Sequence, residues 1–187
     1  MATDSQDSKV SGKMLSLILI GLFVTLCGGA MVMFYLGAFS DAVVTRTTTQ
    51  SYRIAYLTNI GSYNNIEPII EQVAEHLKKG EVTPQTPCAL FLDSASQVDE
   101  KDRRAQVGYI VERNDYIPSP LEELVIPSRE VAIATFSGGT LLGSYKAYKA
   151  MREWSRANGY TLMLPALEIY HSNGEVEYQL PIEKKKY

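Results

Sequence analysis

The chain is poor in the residues from which metal centres and disulfide frameworks are built. It has 2 cysteines and 2 histidines among 187 residues. Two cysteines exclude a disulfide-stapled scaffold and a cysteine-built zinc site, and His76 and His171 are too few for a histidine-built one. No cofactor motif is visible, so neither a metal nor a cofactor is expected. An excess of positive charge is also missing, the net charge being −3. Phosphate backbones are held by basic faces, so no nucleic-acid partner is expected. Glycine and proline, at 13 and 8, are too scarce for a collagen-like or low-complexity chain. With 45% apolar residues the chain is not a disordered one.

What is present divides in two. Residues 14–39 carry no charge. A bilayer core about 30 Å thick needs roughly 20 helical residues, so this run can span it with some tilt. The apolar core of a cleaved signal peptide is shorter, about 7–15 residues. The expectation is an uncleaved transmembrane helix over 14–39 behind an N-terminal tail, 1–13. Lys9 and Lys13 precede the run and Arg46 and Arg53 follow it. Lys13 abuts it, which leans towards an internal amino terminus and an external domain. Cys27 falls within the apolar run, so it and Cys88 make no bridge.

Residues 40–51, with their threonine run, read as a linker to a domain over 52–183. The main signal there is an internal repeat, about 52–112 and 129–182. Each half opens on a β-prone strand, Arg53–Thr58 and Val131–Thr135, with Gly61 and Gly138 after them. A helix follows in each. Ile66, Ile69, Ile70, Val73, Ala74 and Leu77 share one helical face, with Asn65 placed to cap it, Pro68 in its first turn and Gly80 at its end. The second helix, about 140–157, carries Leu141, Tyr145, Tyr148, Met151 and Trp154. Each half then has two more strands: residues 88–93 and 106–112 in the first, 166–171 and 175–182 in the second. The last pair turns on Asn173-Gly174, a hairpin signal. The fold class is therefore α+β, an N-terminal transmembrane helix and a duplicated β-α-β-β domain with an antiparallel sheet and two helices on one face. A groove along the pseudo-twofold axis is the natural ligand site.

Aligning Pro87 with Pro165 sets Leu90 against Glu168. Strand alternation puts Glu168 and Tyr170 on one face, Leu167 and Ile169 on the other. A carboxylate where the repeat predicts an apolar group is a local inconsistency of the kind found at functional places. Its cost if buried suits a cationic ligand, or a reaction needing a base; an exposed or ion-paired glutamate, with Arg104 or Arg129 as its mate, is the alternative. Of 12 tyrosines, Tyr56, Tyr109 and Tyr170 lie on candidate strands, Tyr145 and Tyr148 with Trp154 on the second helix. Aromatic walls suit flat or cationic ligands. Gly138-Gly139 lacks the Lys and Ser/Thr of a phosphate loop and reads as a tight turn. The charged segment 94–104 is a solvated loop or a partner-binding one. The basic tail 184–187 is solvated or a two-lysine retrieval signal.

The duplicated order, the motif Pro165-Ala166-Leu167-Glu168-Ile169-Tyr170 with its closing Leu180-Pro181-Ile182, and Phe91-Leu92-Asp93 with Arg104-Ala105-Gln106-Val107-Gly108-Tyr109 resemble the GyrI-like small-molecule-binding domain family. With the amino-terminal helix, the chain is similar to that family's membrane-anchored branch, which includes the testis-expressed ER-phagy receptor. It lacks that receptor's long disordered tail and has Ser94-Ala95 where an Asp-Pro often stands, so an autophagy role does not carry over. The resemblance implies a ligand cleft with Glu168 at its base and a small, cationic or aromatic ligand. The expected wall is Tyr56, Tyr109, Tyr145, Tyr170 and Trp154. It also implies a cytosolic domain, against the charge-based lean, on a single-pass membrane protein (the inner membrane in a bacterium). The alternatives are a hydrolase of strained or toxic molecules with Glu168 as general base, and a module with a protein partner.

Overall fold

Residues 14–35 of the uncharged run lie within one helix, α1 (Asp4–Tyr35), in the computed structural model of the protein, which describes residues 4–35, 42–137 and 140–185. The helix thus starts well before Met14, inside the span read as a tail. Every side chain from Met14 to Met33 is exposed, and that stretch has a mean hydropathy of 2.4. Thr25 donates its hydroxyl back to the Gly21 carbonyl at 2.9 Å, so this polar side chain in mid-run is satisfied within the helix. The chain divides into two compact units, Met1–Phe39 and Ser40–Tyr187.

The second unit holds β1 (Val43–Thr48), β2 (Tyr52–Ile60), α2 (Ile66–Lys79), β3 (Thr86–Phe91), β4 (Arg104–Ile110) and β5 (Glu122–Ile126). It continues with β6 (Glu130–Ser137), α3 (Thr140–Asn158), β7 (Tyr160–Leu162), β8 (Ala166–Tyr170) and β9 (Glu175–Lys184). All described pairings are antiparallel, and the sheet order is β1-β6-β9-β8-β3-β4-β2-β5, with β7 paired to the end of β9. The order is symmetric about the β3–β8 pair, where the pseudo-twofold of the repeat passes. The α+β duplicated architecture expected from the sequence is the one found.

Three strands lie outside the sequence reading. β1 occupies residues read as a linker; its Val and Thr residues are β-branched, and the ladder to β6 runs from Val43 opposite Thr135 to Thr48 opposite Glu130. β5 follows the proline-rich connector, and β7 is three residues long. β1 and β5 are the edges of the sheet, where side chains need little apolar character. Two other details differ. Asn65 makes no side-chain cap; Ser62 accepts from the Asn64 amide one turn earlier. The left-handed residue after α2 is Glu81, at φ 62°, not Gly80. Gly80 is there for space, since a Cβ would meet the Pro118 ring at 2.7 Å.

The connections force the sheet to curl. β1 and β2 stand six strand spacings apart, about 29 Å in a flat sheet. Residues 49–51 alone join them, a reach of no more than about 14 Å. Residues 127–129 make the matching link from β5 to β6, and the two links are tied: the Thr49 amide donates to Arg129 O at 2.9 Å and the Ser128 hydroxyl to Thr49 O at 2.6 Å. The two ends of the sheet must therefore adjoin. The inward face holds Ile54, Tyr56, Cys88, Leu90, Leu167 and Ile169, all buried although no helix packs there. The outward face takes the helices: Val73 and Leu77 of α2 pack with Ala55 and Tyr109, and Ala147 and Met151 of α3 with Ala89, Ala132 and Ala134.

Candidate functional site

Leu167 and Ile169 point into the curl, so Glu168 between them faces the helices. Its register partner on β3 is Ala89, and on β9 it is Tyr178. Leu90, set against Glu168 by the alignment through the prolines, faces the other way, so that alignment does not keep the faces of the two strands. Leu90 lies on the opposite face, opposite Leu167, and Ala89 is the residue that meets Glu168 at the pseudo-axis. An alanine there leaves room for the carboxylate and lines no part of its charge.

Glu168 is only 6% exposed. Tyr148, from α3, donates its hydroxyl to Oε1 at 2.9 Å, and Tyr170 donates to Oε2 at 3.1 Å. Burial pushes the carboxyl up to about 7, while the two phenol hydrogen bonds oppose the rise. No cation is among the groups that act on it. Burial, and then the Glu168 charge, hold the Tyr148 and Tyr170 phenols well above their ordinary value. Tyr178 lies edge-on to Tyr148, ring centroids 5.7 Å apart, and its hydroxyl is 3.3 Å from that of Ser144. A Cβ at Gly143 would meet the Phe136 ring at 2.8 Å and the Tyr178 hydroxyl at 2.9 Å, so α3 approaches the sheet closely here.

The first half contributes Tyr63, in the turn before α2. Its ring stands edge-on to Phe91 of β3 at 4.7 Å, and its hydroxyl donates to the Asp93 carbonyl at 2.9 Å. The charge of Tyr63 acts on Tyr148, so the two halves meet at this cluster. α2 packs mainly on β2 and β4, α3 on β6, β7 and β1. The central pair β3–β8, with Glu168 on it, runs between those footprints.

Of the residues picked from the sequence, Glu168 and Tyr170 come together. Tyr56 does not join them: it sits on the inward face and donates to Glu122 at 3.1 Å. Tyr109 is on the helix side but under α2, with Val73 and Leu77. Trp154 stacks on Tyr160 at 5.4 Å, and the Arg46 guanidinium lies 5.2 Å from the Tyr160 ring on the other element, β1. Tyr145 is 65% exposed on the outer side of α3. Tyr148, noted on the second helix but left out of the expected wall, joins Glu168 and Tyr170, and Tyr178 and Tyr63 are members that the sequence reading did not pick. Tyr148 carries a helix-periodicity signal that Tyr145 shares, and Tyr178 is marked only by its register with Glu168. Neither Arg104 nor Arg129 is the mate of Glu168; Arg104 holds Asp93 instead.

Loop 94–104 is folded on itself. Arg103 donates to the carbonyls of Val98 at 3.0 Å and Ala95 at 2.6 Å, and residues 100–102 form a helical turn. Gly138-Gly139 and the last two residues of the basic tail lie outside the described residues. Both cysteines are free, and among the described residues no cluster of His, Cys, Asp and Glu could hold a metal ion. Burial pushes the Cys88 thiol up to about 12, which makes it inert at neutral pH.

The raised carboxyl has a consequence for stability. Its ordinary value is 4.5 and its folded value about 7. Between those limits the unfolded chain has lost the proton and the folded chain keeps it, so stability falls as pH rises through this window and levels off above it. The loss attributable to Glu168 is about 3 kcal/mol. Glu168→Gln should be more stable than the wild type at pH 8 by about that amount, with the difference vanishing near pH 4. Urea unfolding of both chains across pH 4–8 measures it, and a wild type that gains on the variant with rising pH would contradict the burial of this carboxyl.

The sequence model of the GyrI-like small molecule binding domain matches residues 44–183. No curated protein matches the chain. Among solved structures, the C-terminal domain of EcmrR superposes with a TM-score of 0.63 at 17% identity, over 77% of this chain and 99% of that one. EcmrR in its DNA complex gives 0.62 at 16%, over 97% and 69% of the two chains. A protein bound to tetraphenylphosphonium gives 0.52 at 8%, over 75% and 94%. At these identities the likeness is one of fold.

Proposed function

The chain belongs to the GyrI-like family of small-molecule-binding domains, and from that membership we propose that it binds a small cationic or aromatic molecule between its two repeats. The observation that carries the reading is Glu168. A buried carboxylate that keeps two phenols and no cation is left with charge to offer. Removing it from water costs several kcal/mol unless a counter-charge repays part of it. A ligand cation between α2 and α3 would be that counter-charge, with Tyr63, Tyr148, Tyr170 and Tyr178 as aromatic walls. The tetraphenylphosphonium complex of a structural neighbour supplies the probe. Titrating the full chain with tetraphenylphosphonium should give saturable binding that Glu168→Gln loses; equal binding by both would sink the reading.

We further propose that α1 is a membrane anchor, that the chain belongs to the membrane-anchored branch of its family, and that the domain is cytosolic. Twenty residues, Met14–Met33, make about 30 Å of helix, the thickness of a bilayer core. A signal sequence meets the same criterion of length and apolarity; the run is longer than a signal core. The full chain should stay with membranes through alkaline carbonate washing while residues 40–187 alone are released. Release of both would refute the anchor. Nucleic acid is not proposed as a partner: the DNA complex of EcmrR is a property of that protein, and the segment before this domain is the apolar α1.

One observation favours a second reading. A carboxyl near 7 is placed to act as general base at neutral pH. Glu168 would then activate water, and Tyr170 or Tyr148 would hold the leaving group; Tyr109 packs with Val73 and Leu77 of α2 instead. Product analysis of bound compounds, beside Glu168→Gln, separates hydrolysis from binding.

A further inference from the structure

Three arginines of this domain hold carboxylates by the same edge. Arg53 gives Nε and Nη2 to the two oxygens of Glu123 at 2.8 and 2.9 Å. Arg104 gives the same two nitrogens to Asp93, both at 2.9 Å. Arg46 turns that edge on Glu130. Arg129 has the same edge, buried, and neither its Nε nor its Nη2 has a partner.

The position is rigidly built. Arg129 lies in the link from β5 to β6, where its carbonyl accepts from the Thr49 amide at 2.9 Å. Tyr52, the first residue of β2, is close enough for its charge to act on Arg129. Gln179 Nε2 donates both to the Tyr52 oxygen at 3.1 Å and to Glu177 Oε1 at 2.5 Å, which leaves the Tyr52 phenol proton free to be donated and puts the nearest carboxylate on Gln179, not on Arg129. Gln179 is 0% exposed, and its Oε1 is also buried without a partner. Three donors and one acceptor are thus unsatisfied around Tyr52, on the inward face of the curl and away from Glu168. A water could take the N–H bonds but would leave a half-buried guanidinium without a counter-charge, which is the costly part. A guanidinium edge with both nitrogens free matches the two oxygens of a carboxylate.

We propose that the Arg129 edge, with Tyr52 and Gln179, is a second ligand site, taking a small carboxylate that also carries a hydroxyl or N–H donor for Gln179 Oε1. The ligand is small because the two nitrogens are covered. The site is independent of the Glu168 reading.

The test follows the Nε–H resonances of the full chain in detergent micelles, labelled with nitrogen-15 arginine, as sodium glycolate is added. The Arg129 signal, assigned by its absence from Arg129→Lys, should shift saturably. Those of Arg53 and Arg104, whose edges are filled, should not move, and sodium chloride at equal ionic strength should leave Arg129 unchanged. Acetate, which lacks the hydroxyl, should bind several-fold more weakly. No shift at Arg129, the same shift at every arginine, or the same shift with chloride would overturn the site. Equal affinity for glycolate and acetate would remove Gln179 from it.

Discussion

Glu168→Gln should weaken tetraphenylphosphonium binding by at least about thirtyfold, because removing one charge of a desolvated pair costs about 2–5 kcal/mol. Glutamine keeps the size of the side chain and one carbonyl acceptor for Tyr148 or Tyr170. It removes the charge alone. The same change is expected to make the folded chain more stable at pH 8, since it relieves the burial that pushes the carboxyl up to about 7. Binding and stability should therefore move in opposite directions in one variant. That combination excludes unfolding as the cause of lost binding, and it is the trade expected where a site is kept at a cost to the fold. A variant that lost both would instead mean that Glu168 supports the fold.

The wild type supplies its own control through pH. The probe cation carries a charge that does not titrate, and only ionised Glu168 complements it. Affinity should be level above about pH 8 and fall roughly tenfold for each unit below about 7, by the same linkage that governs stability. Glu168→Gln should show no such slope. A wild-type affinity unchanged from pH 8 to pH 5, measured by equilibrium dialysis, would leave the carboxylate without a part in binding.

Much of this was legible in the residues. The helical spacing of Ile66 to Leu77 and the alternation around Glu168 gave the elements and the shared face of Glu168 and Tyr170. The rest depends on contacts distant in sequence. Alternation tells that Tyr56 and Ala55 face opposite ways, but not that the Tyr56 side is the inside of a curled sheet. That follows from two three-residue links whose ends only the strand order brings together. Tyr145 and Tyr148 are three apart on one helix, so periodicity gives them nearly the same direction; packing against Tyr178 half-buries Tyr148 and leaves Tyr145 exposed. The prolines at 87 and 165 set Leu90 against Glu168, but the two face opposite ways, and the ladder neighbour of Glu168 on β3 is Ala89. The edge strands β1 and β5 lack an apolar stripe because only one side of each is covered.

The curl itself predicts the most damaging small substitution. Gly108 lies in β4 opposite Tyr56, and a Cβ there would stand 2.7 Å from the Tyr56 Cα and closer still to the Ala55 carbonyl oxygen. Both are backbone atoms, so no side-chain rotation relieves the clash. Glycine within a strand marks such a close approach or a bend at a barrel corner. To admit even a methyl group, β2 and β4 must part along the ladder that runs from Ile54 to Ile60. β2 also carries β5 and the short link to β1, so the separation would loosen the closure of the whole sheet. Gly108→Ala should cost more than about 4 kcal/mol, a large share of the 5–15 kcal/mol by which a domain is usually stable. Gly143→Ala is the comparison: its Cβ would meet the Phe136 ring and the Tyr178 hydroxyl, which are side chains that can shift, so its cost should be about 1–3 kcal/mol. Thermal unfolding followed by circular dichroism ranks the two. If Gly108→Ala melts within a few degrees of the wild type while Gly143→Ala does not, β2 and β4 are not held together as closely as the curled sheet requires.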